Sequence, residues 1–139
     1  MGRSRLRETD KAYIAGFLDG EGTITCTVKE GRWPSLRVLI YNTDQRVLQW
    51  MLAHYDGSVR PHSGWEDGQK RVYAFAPTVP ARMRLLKEIL PYLKLKRSQA
   101  MIGIRMLELT HGQGLDERRQ LAMQLHALNR RGSTSHARP

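Results

Sequence analysis

Cysteine is almost missing from this 139-residue chain, acidic side chains are few, and no long apolar run occurs. The lone Cys26 excludes an intrachain disulfide and any multi-cysteine zinc site, and the five scattered histidines show no metal-ligand spacing. With no apolar stretch fit to cross a bilayer and no signal-peptide pattern at its start, the chain is expected to be intracellular, with no membrane partner. No repeat or low-complexity tract divides it, and its length suits one domain with a real core. One domain over residues 1–131 is expected, followed by a flexible basic tail, 132–139, that lacks apolar periodicity. The scarcity of acids leaves 23 Lys and Arg against 13 Asp and Glu, a net charge of +10 that suits a polyanionic partner such as nucleic acid.

Two of those few acids stand in an odd place. The stretch Tyr13-Ile14-Ala15-Gly16-Phe17-Leu18-Asp19-Gly20-Glu21-Gly22 reads as a helix whose C-terminus carries Asp19 and Glu21 between glycines. Unpaired carbonyls already make a helix C-terminus partly negative, so carboxylates there call for a compensating cation, and a divalent metal would serve. Ala12, Ala15 and Gly16 leave one side of this helix nearly bare, which suits close approach of another backbone.

Next, Thr23-Ile24-Thr25-Cys26-Thr27-Val28-Lys29 alternates with the period of a strand, with Ile24, Cys26 and Val28 directed inward. After a turn through Gly31 to Pro34 the chain returns as Leu36 to Tyr41, with Leu36, Val38 and Ile40 as its core set. The opposite face then carries Thr23, Thr25, Thr27 and Lys29 beside Ser35, Arg37, Leu39 and Tyr41, a set able to read base edges in a major groove. Asn42-Thr43-Asp44 offers N-cap chemistry for a helix to about His54, stopped by Asp56-Gly57.

A second hairpin follows, Ser58 to His62 and Arg71 to Ala76, joined by a polar loop containing Trp65 and Gly68; Pro61 implies an edge or bulged strand. Alternation predicts Val72, Ala74 and Ala76 inside, with Arg71, Tyr73 and Phe75 outside on the face that bears Arg60 and His62. Pro80 opens a helix with Met83, Leu86, Ile89 and Leu90 as its stripe, ended by Pro91. From Arg82 to Arg97 there are six cations against one acid, Glu88. Two further helices are expected, Ser98 to about Thr110 and Asp116 to about Asn129, separated by a glycine-rich break at His111 to Gly114.

Ile14 to Gly22 resembles the signature of the LAGLIDADG homing endonucleases, with Ile for the first Leu, Phe17-Leu18 as the central apolar pair and Gly20-Glu21 for Ala-Asp. Pro91-Tyr92-Leu93-Lys94-Leu95-Lys96 is similar to the segment after the second hairpin in single-motif members. The two together, with alternating hairpins between them, are far more specific than either alone. The resemblance covers most of residues 10 to 110. It implies an α+β fold of order αββαββα, a four-stranded antiparallel saddle covered by helices on its convex side, and additional C-terminal helices.

The resemblance also implies site-specific cleavage of double-stranded DNA, with staggered cuts across the minor groove at a long, partly palindromic target. Glu21 falls on the metal-binding acid, with the Gly20 carbonyl as an additional oxygen ligand for Mg²⁺, for which Mn²⁺ substitutes. Lys96 falls on the active-site lysine and Asp44 on the polar residue that organises active-site water, while Arg97 belongs to the DNA-contacting set. One motif per chain implies a homodimer, with Ala12, Ala15, Gly16 and Asp19 at the interface. The resemblance suits an intron-encoded protein of a prokaryotic cytoplasm or nucleoid, or of an organelle. Related proteins also act as RNA-binding intron maturases or as non-cleaving DNA binders. Retention of both Glu21 and Lys96 favours the enzyme, because binding alone needs no metal carboxylate.

Overall fold

The stretch that ends in the two acids forms α1 (Glu8–Glu21) in a computed structural model that describes residues 6–63, 70–109 and 113–135. Glu8 and Asp10 in its first turn complement the helix dipole, and the Arg7 amide donates to the Asp10 carboxylate at 3.2 Å. Ile14, Ala15 and Leu18 are buried, while Ala12, Gly16 and Gly20 are exposed. Ala15, expected on the bare side, instead faces the core, and the helix pitch is the reason. Three residues at about 100° each bring Ala15 to the side of Leu18, whereas Ala12, Gly16 and Gly20, four apart, align on the opposite side. Ala15 is fully buried in its own core and is not available to a partner.

The next two alternating runs form β1 (Gly22–Thr27) and β2 (Ser35–Asn42), and Ile24, Cys26, Leu36, Val38 and Ile40 all lie in the core as their periodicity predicts. The strand ends two residues early: Val28, expected inside, is 48% exposed, and Lys29 sits in the turn. Gly31 in that turn has φ +76°, a left-handed conformation that favours glycine. After α2 (Gln45–His54), which buries Leu48 and Met51, come β3 (Gly57–Ser63), β4 (Val72–Pro77) and α3 (Val79–Ile89). Pro80 sits in the first turn of α3, where its missing N–H costs no hydrogen bond. A short 3₁₀ turn over Leu90–Tyr92 leads to α4 (Arg97–Glu108) and α5 (Leu115–Ser135). The loop with Trp65 and Gly68 lies outside the described residues, as do His111 and Gly112 of the expected break.

The strands form one antiparallel sheet of order β1-β2-β4-β3, giving the α+β order αββαββα followed by α4 and α5. One sheet face is dry. Directly paired residues share a face, so the core residue Ile40 places its partner Phe75 in the core, and Val59 joins them from β3. Phe75 is fully buried and Tyr73 packs partly buried against the same cluster. The expected faces of β4 are therefore reversed, with Val72, Ala74 and Ala76 on the open side. Two aromatic rings bury more apolar area than two alanines and a valine, so core burial governs the register more strongly than the exposed Arg71 that precedes the strand.

The last helix runs past the expected end near Asn129 to Ser135; Gly132 weakens a helix by about 1 kcal/mol but does not forbid one. Ala122 and Leu125 join the core, His126 contacts the Cys26 carbonyl at 3.0 Å, and the Asn129 amide donates to the Ile24 carbonyl at 2.9 Å. These contacts shield the edge strand β1. Arg118, also on α5, is buried by stacking on Trp33 and by donating to the carbonyls of Pro34 and Met106. No helix among the described residues is long and apolar enough to cross a membrane.

Candidate active site

The C-terminal turn of α1 enters β1 through Gly22, where a Cβ atom would come within 2.4 Å of the Leu18 side chain and 2.9 Å of the Leu39 carbonyl. Only glycine allows helix and sheet to approach this closely. The turn therefore holds Asp19, Gly20 and Glu21 at the edge of the open sheet face. Their acids meet different surroundings. The Asp19 carboxylate accepts three successive backbone amides, from Lys94 at 2.8 Å, Leu95 at 3.1 Å and Lys96 at 3.0 Å. The Asp19 carboxylate is thereby engaged within its own chain. Glu21 is exposed, and its carboxylate forms no hydrogen bond or ion pair among the described residues.

Lys96 stands at the head of α4, and its ammonium donates to the Asp19 carbonyl at 2.8 Å, which brings the Leu-Lys-Leu-Lys segment to the end of α1 as expected. Partial burial pushes the lysine below its usual range, and the charge of Asp19 opposes that shift. The sequence separation of these groups is more than seventy residues. Leu93 anchors the segment in the core while Leu95, two residues on, is exposed.

Asp44 is the N-cap of α2. Its carboxylate accepts the Arg46 amide at 2.9 Å and pairs with the Arg46 guanidinium at 2.7 Å, which holds it at about 2. With Asp10, Tyr13, Arg46, Val47 and Trp50 it lines a recess of about 570 Å³ beside the first half of α1. Asp44 thus acts in the fold as a helix cap, ion-paired to Arg46, and its amide donates to the Asn42 side chain at 2.7 Å. Asn42, read in the sequence only as part of the capping run, ends β2. Because Gly22 pairs with Ile40, the two residues beyond Ile40 run toward the α1 terminus. The cap has a pH signature. Asp44 is more acidic in the folded protein than its ordinary value of 3.8, so it stabilises above that pH and the contribution is lost as pH falls toward about 2. Asp44→Ala is therefore expected to lower the melting temperature at neutral pH, with the deficit closing on acidification to about pH 2 in a thermal-denaturation series.

The open face carries a polar field. Cross-strand partners Thr23 and Leu39, Thr25 and Arg37, and Thr27 and Ser35 lie side by side across β1 and β2. Tyr41 is opposite Ala74, which is opposite Arg60, and the Tyr41 ring lies 4.7 Å from that of His62. These residues share one surface as predicted. Tyr73 and Phe75 do not belong to it, Lys29 lies in the turn beyond β1, and Arg71 and Arg97 are exposed at element ends. Ala74 sits in the place expected for an aromatic, and the cross-strand register is what reveals it.

The chain matches no sequence-family model and no curated protein. Its fold does match solved structures. The homing endonuclease I-CvuI, in complex with its target in the presence of Ca, is 24% identical at a TM-score of 0.71, covering 87% of this chain and 82% of that one. The archaeal intron-encoded homing endonuclease I-Vdi141I, complexed with DNA, is 18% identical at a TM-score of 0.67, covering 87% and 84%. The LAGLIDADG homing endonuclease I-GzeII, in complex with its DNA target, is 17% identical at 0.62, covering 86% of this chain but 44% of its own. The chain has the fold of the LAGLIDADG homing endonucleases, at the length of I-CvuI and I-Vdi141I rather than of the longer I-GzeII.

Proposed function

We propose that this chain is a site-specific double-stranded DNA endonuclease that acts as a homodimer with divalent metal ions. The observation that carries the reading is that Lys96 reaches the C-terminal turn of α1, where Glu21 is exposed and has no partner among the described residues, next to an open sheet face that bears Arg37 and Arg60. The net charge of +10 and the DNA present with the structural neighbours support a polyanionic partner.

A phosphodiester repels nucleophiles and has a poor leaving group. Glu21 and the Gly20 carbonyl offer hard oxygen donors of the kind Mg²⁺ or Mn²⁺ takes, and the rest of such a shell ordinarily comes from water and phosphate. When bound, the metal supplies positive charge at the attacking and leaving oxygens. Among the described residues one chain holds no group of three or more His, Cys, Asp or Glu suited to a metal, and in a two-fold dimer a second protomer's Glu21 would add a symmetry-related donor to the water and phosphate oxygens. Lys96 stabilises charge that develops on the phosphate, and its partial burial strengthens that effect by keeping water away. The exposed ridge Ala12, Gly16 and Gly20 supports close pairing of two α1 helices about a two-fold axis.

Incubating the protein with a randomised double-stranded DNA library and Mg²⁺, then sequencing the cut ends, tests the reading. Staggered cuts at one partly palindromic site are expected; tight binding without cutting would make the protein a non-cleaving binder, and a preference for structured RNA would make it a maturase. On the open face, Arg37→Ala is expected to relax preference at one or two base pairs by about 1–3 kcal/mol each in a competition assay. Uniform weakening across all sequences would mean that Arg37 contacts phosphate.

A further inference from the structure

Asp19 has an unusual environment for a residue at the end of a helix. It lies where the carbonyls of α1 make the potential negative, yet its carboxylate is held by three amides that precede α4, where the potential is positive. A carboxylate that accepts successive backbone amides forms charge-assisted bonds with fixed geometry, stronger than neutral ones and directional at both oxygens. The same residue uses its carbonyl to accept the Lys96 ammonium. Side chain and main chain of Asp19 thus grip two ends of Lys96, its amide and its Nζ. Without that grip, residues 94–96 would be tied to α1 only through their neighbours, by the buried Leu93 and by the Tyr92 hydroxyl that donates to Glu8, since Lys94 and Leu95 are exposed and Lys96 carries a long flexible stem.

Resting on the nuclease reading above, we propose that Asp19 is a positioning residue that locks Lys96 beside the Glu21 end of α1. It touches no substrate. The two acids of the motif therefore divide their work: Asp19 spends its charge inside the chain on the amides of 94–96, and Glu21 keeps its charge for a ligand from outside. Asp19→Asn retains the shape and one acceptor oxygen but removes the charge and part of the amide grip.

The test is a double-mutant cycle with Lys96→Met on the full chain, using the cut site found in the library, with single-turnover cleavage at saturating protein and binding measured in Ca²⁺. Asp19→Asn is expected to lower the cleavage rate at least about tenfold while DNA affinity stays within about threefold, and to cost less than about threefold further when Lys96 is already Met. Hydrogen exchange at the amides of residues 94–96 should accelerate in Asp19→Asn, in step with the loss of rate. A purely structural role predicts instead that the two losses multiply, or that affinity and rate fall together, and either result overturns the proposal. A wild-type rate in Asp19→Asn overturns it as well, leaving the nuclease reading intact. If the wild-type chain cuts no DNA, both fall together. Should Asp19→Asn fail to fold, Asp19→Ser enters the same cycle with the same criteria.

Discussion

Glu21→Gln is expected to abolish DNA cleavage, with a loss of at least about a thousandfold in single-turnover rate, while the melting temperature is unchanged and DNA affinity stays within about tenfold. The first part follows from chemistry. Gln keeps the shape and one carbonyl oxygen but removes the negative charge that makes a carboxylate a far stronger ligand for a hard divalent cation than a neutral amide, and a thousandfold corresponds to about 4 kcal/mol of transition-state stabilisation. The second part follows from the structure, in which Glu21 is exposed and forms no described hydrogen bond or ion pair that folding would lose. Removing a negative charge near a phosphate backbone also leaves binding equal or tighter, since repulsion between like charges falls. Cleavage under Mg²⁺ with DNA binding measured in Ca²⁺ separates the effects. Wild-type cutting by Glu21→Gln would sink Glu21 as the metal ligand.

Gly16→Leu is expected to yield a monomer that no longer makes double-strand cuts. Within one chain the substitution is harmless: a Cβ at Gly16 meets nothing within 4 Å, and Leu favours the helix over Gly by nearly 1 kcal/mol. The protomer should therefore hold or gain thermal stability. Two α1 helices packed through Ala12, Gly16 and Gly20, however, approach at a distance set by their contact side chains, and an isobutyl group on each would force them apart. The cost falls twice, once per protomer, because a two-fold interface repeats every change. Tight DNA binding should go as well, since one half-site retains only part of the phosphate contacts. Sedimentation velocity with and without DNA, paired with a plasmid nicking assay, distinguishes the outcomes. A Gly16→Leu dimer with wild-type cutting, or a wild-type monomer that severs both strands in one encounter, would overturn the two-fold arrangement.

The elements were legible because each is written in a local code. Period-two alternation marks β1 and β2 and names their buried residues. The Asp44 cap and the spacing of Leu48 and Met51 mark α2, and Pro80 marks the start of α3. The end of α1 was legible for a different reason, since acids at a helix C-terminus conflict with its dipole and so announce a compensating partner. What that partner is differs for each acid. For Asp19 it is a set of amides seventy-five and more residues away, which no local pattern can reveal.

Strand β4 shows the same limit. Val72 to Ala76 alternates cleanly, but alternation divides residues into two sets without saying which set is dry, and only pairing with Ile40 and Val59 sends Phe75 inward. Ala15 likewise looks interchangeable with Ala12 and Gly16 until Ile14 and Leu18 define the buried side of α1. By itself the sequence determined element type, element order, the acidic turn and the basic segment, because periodicity, capping and charge act over a few residues. The tertiary structure alone decided which face each element presents, that Asp19 grips the chain around Lys96, and that Glu21 is left open, because packing and hydrogen bonding between distant segments select among patterns that are locally equivalent.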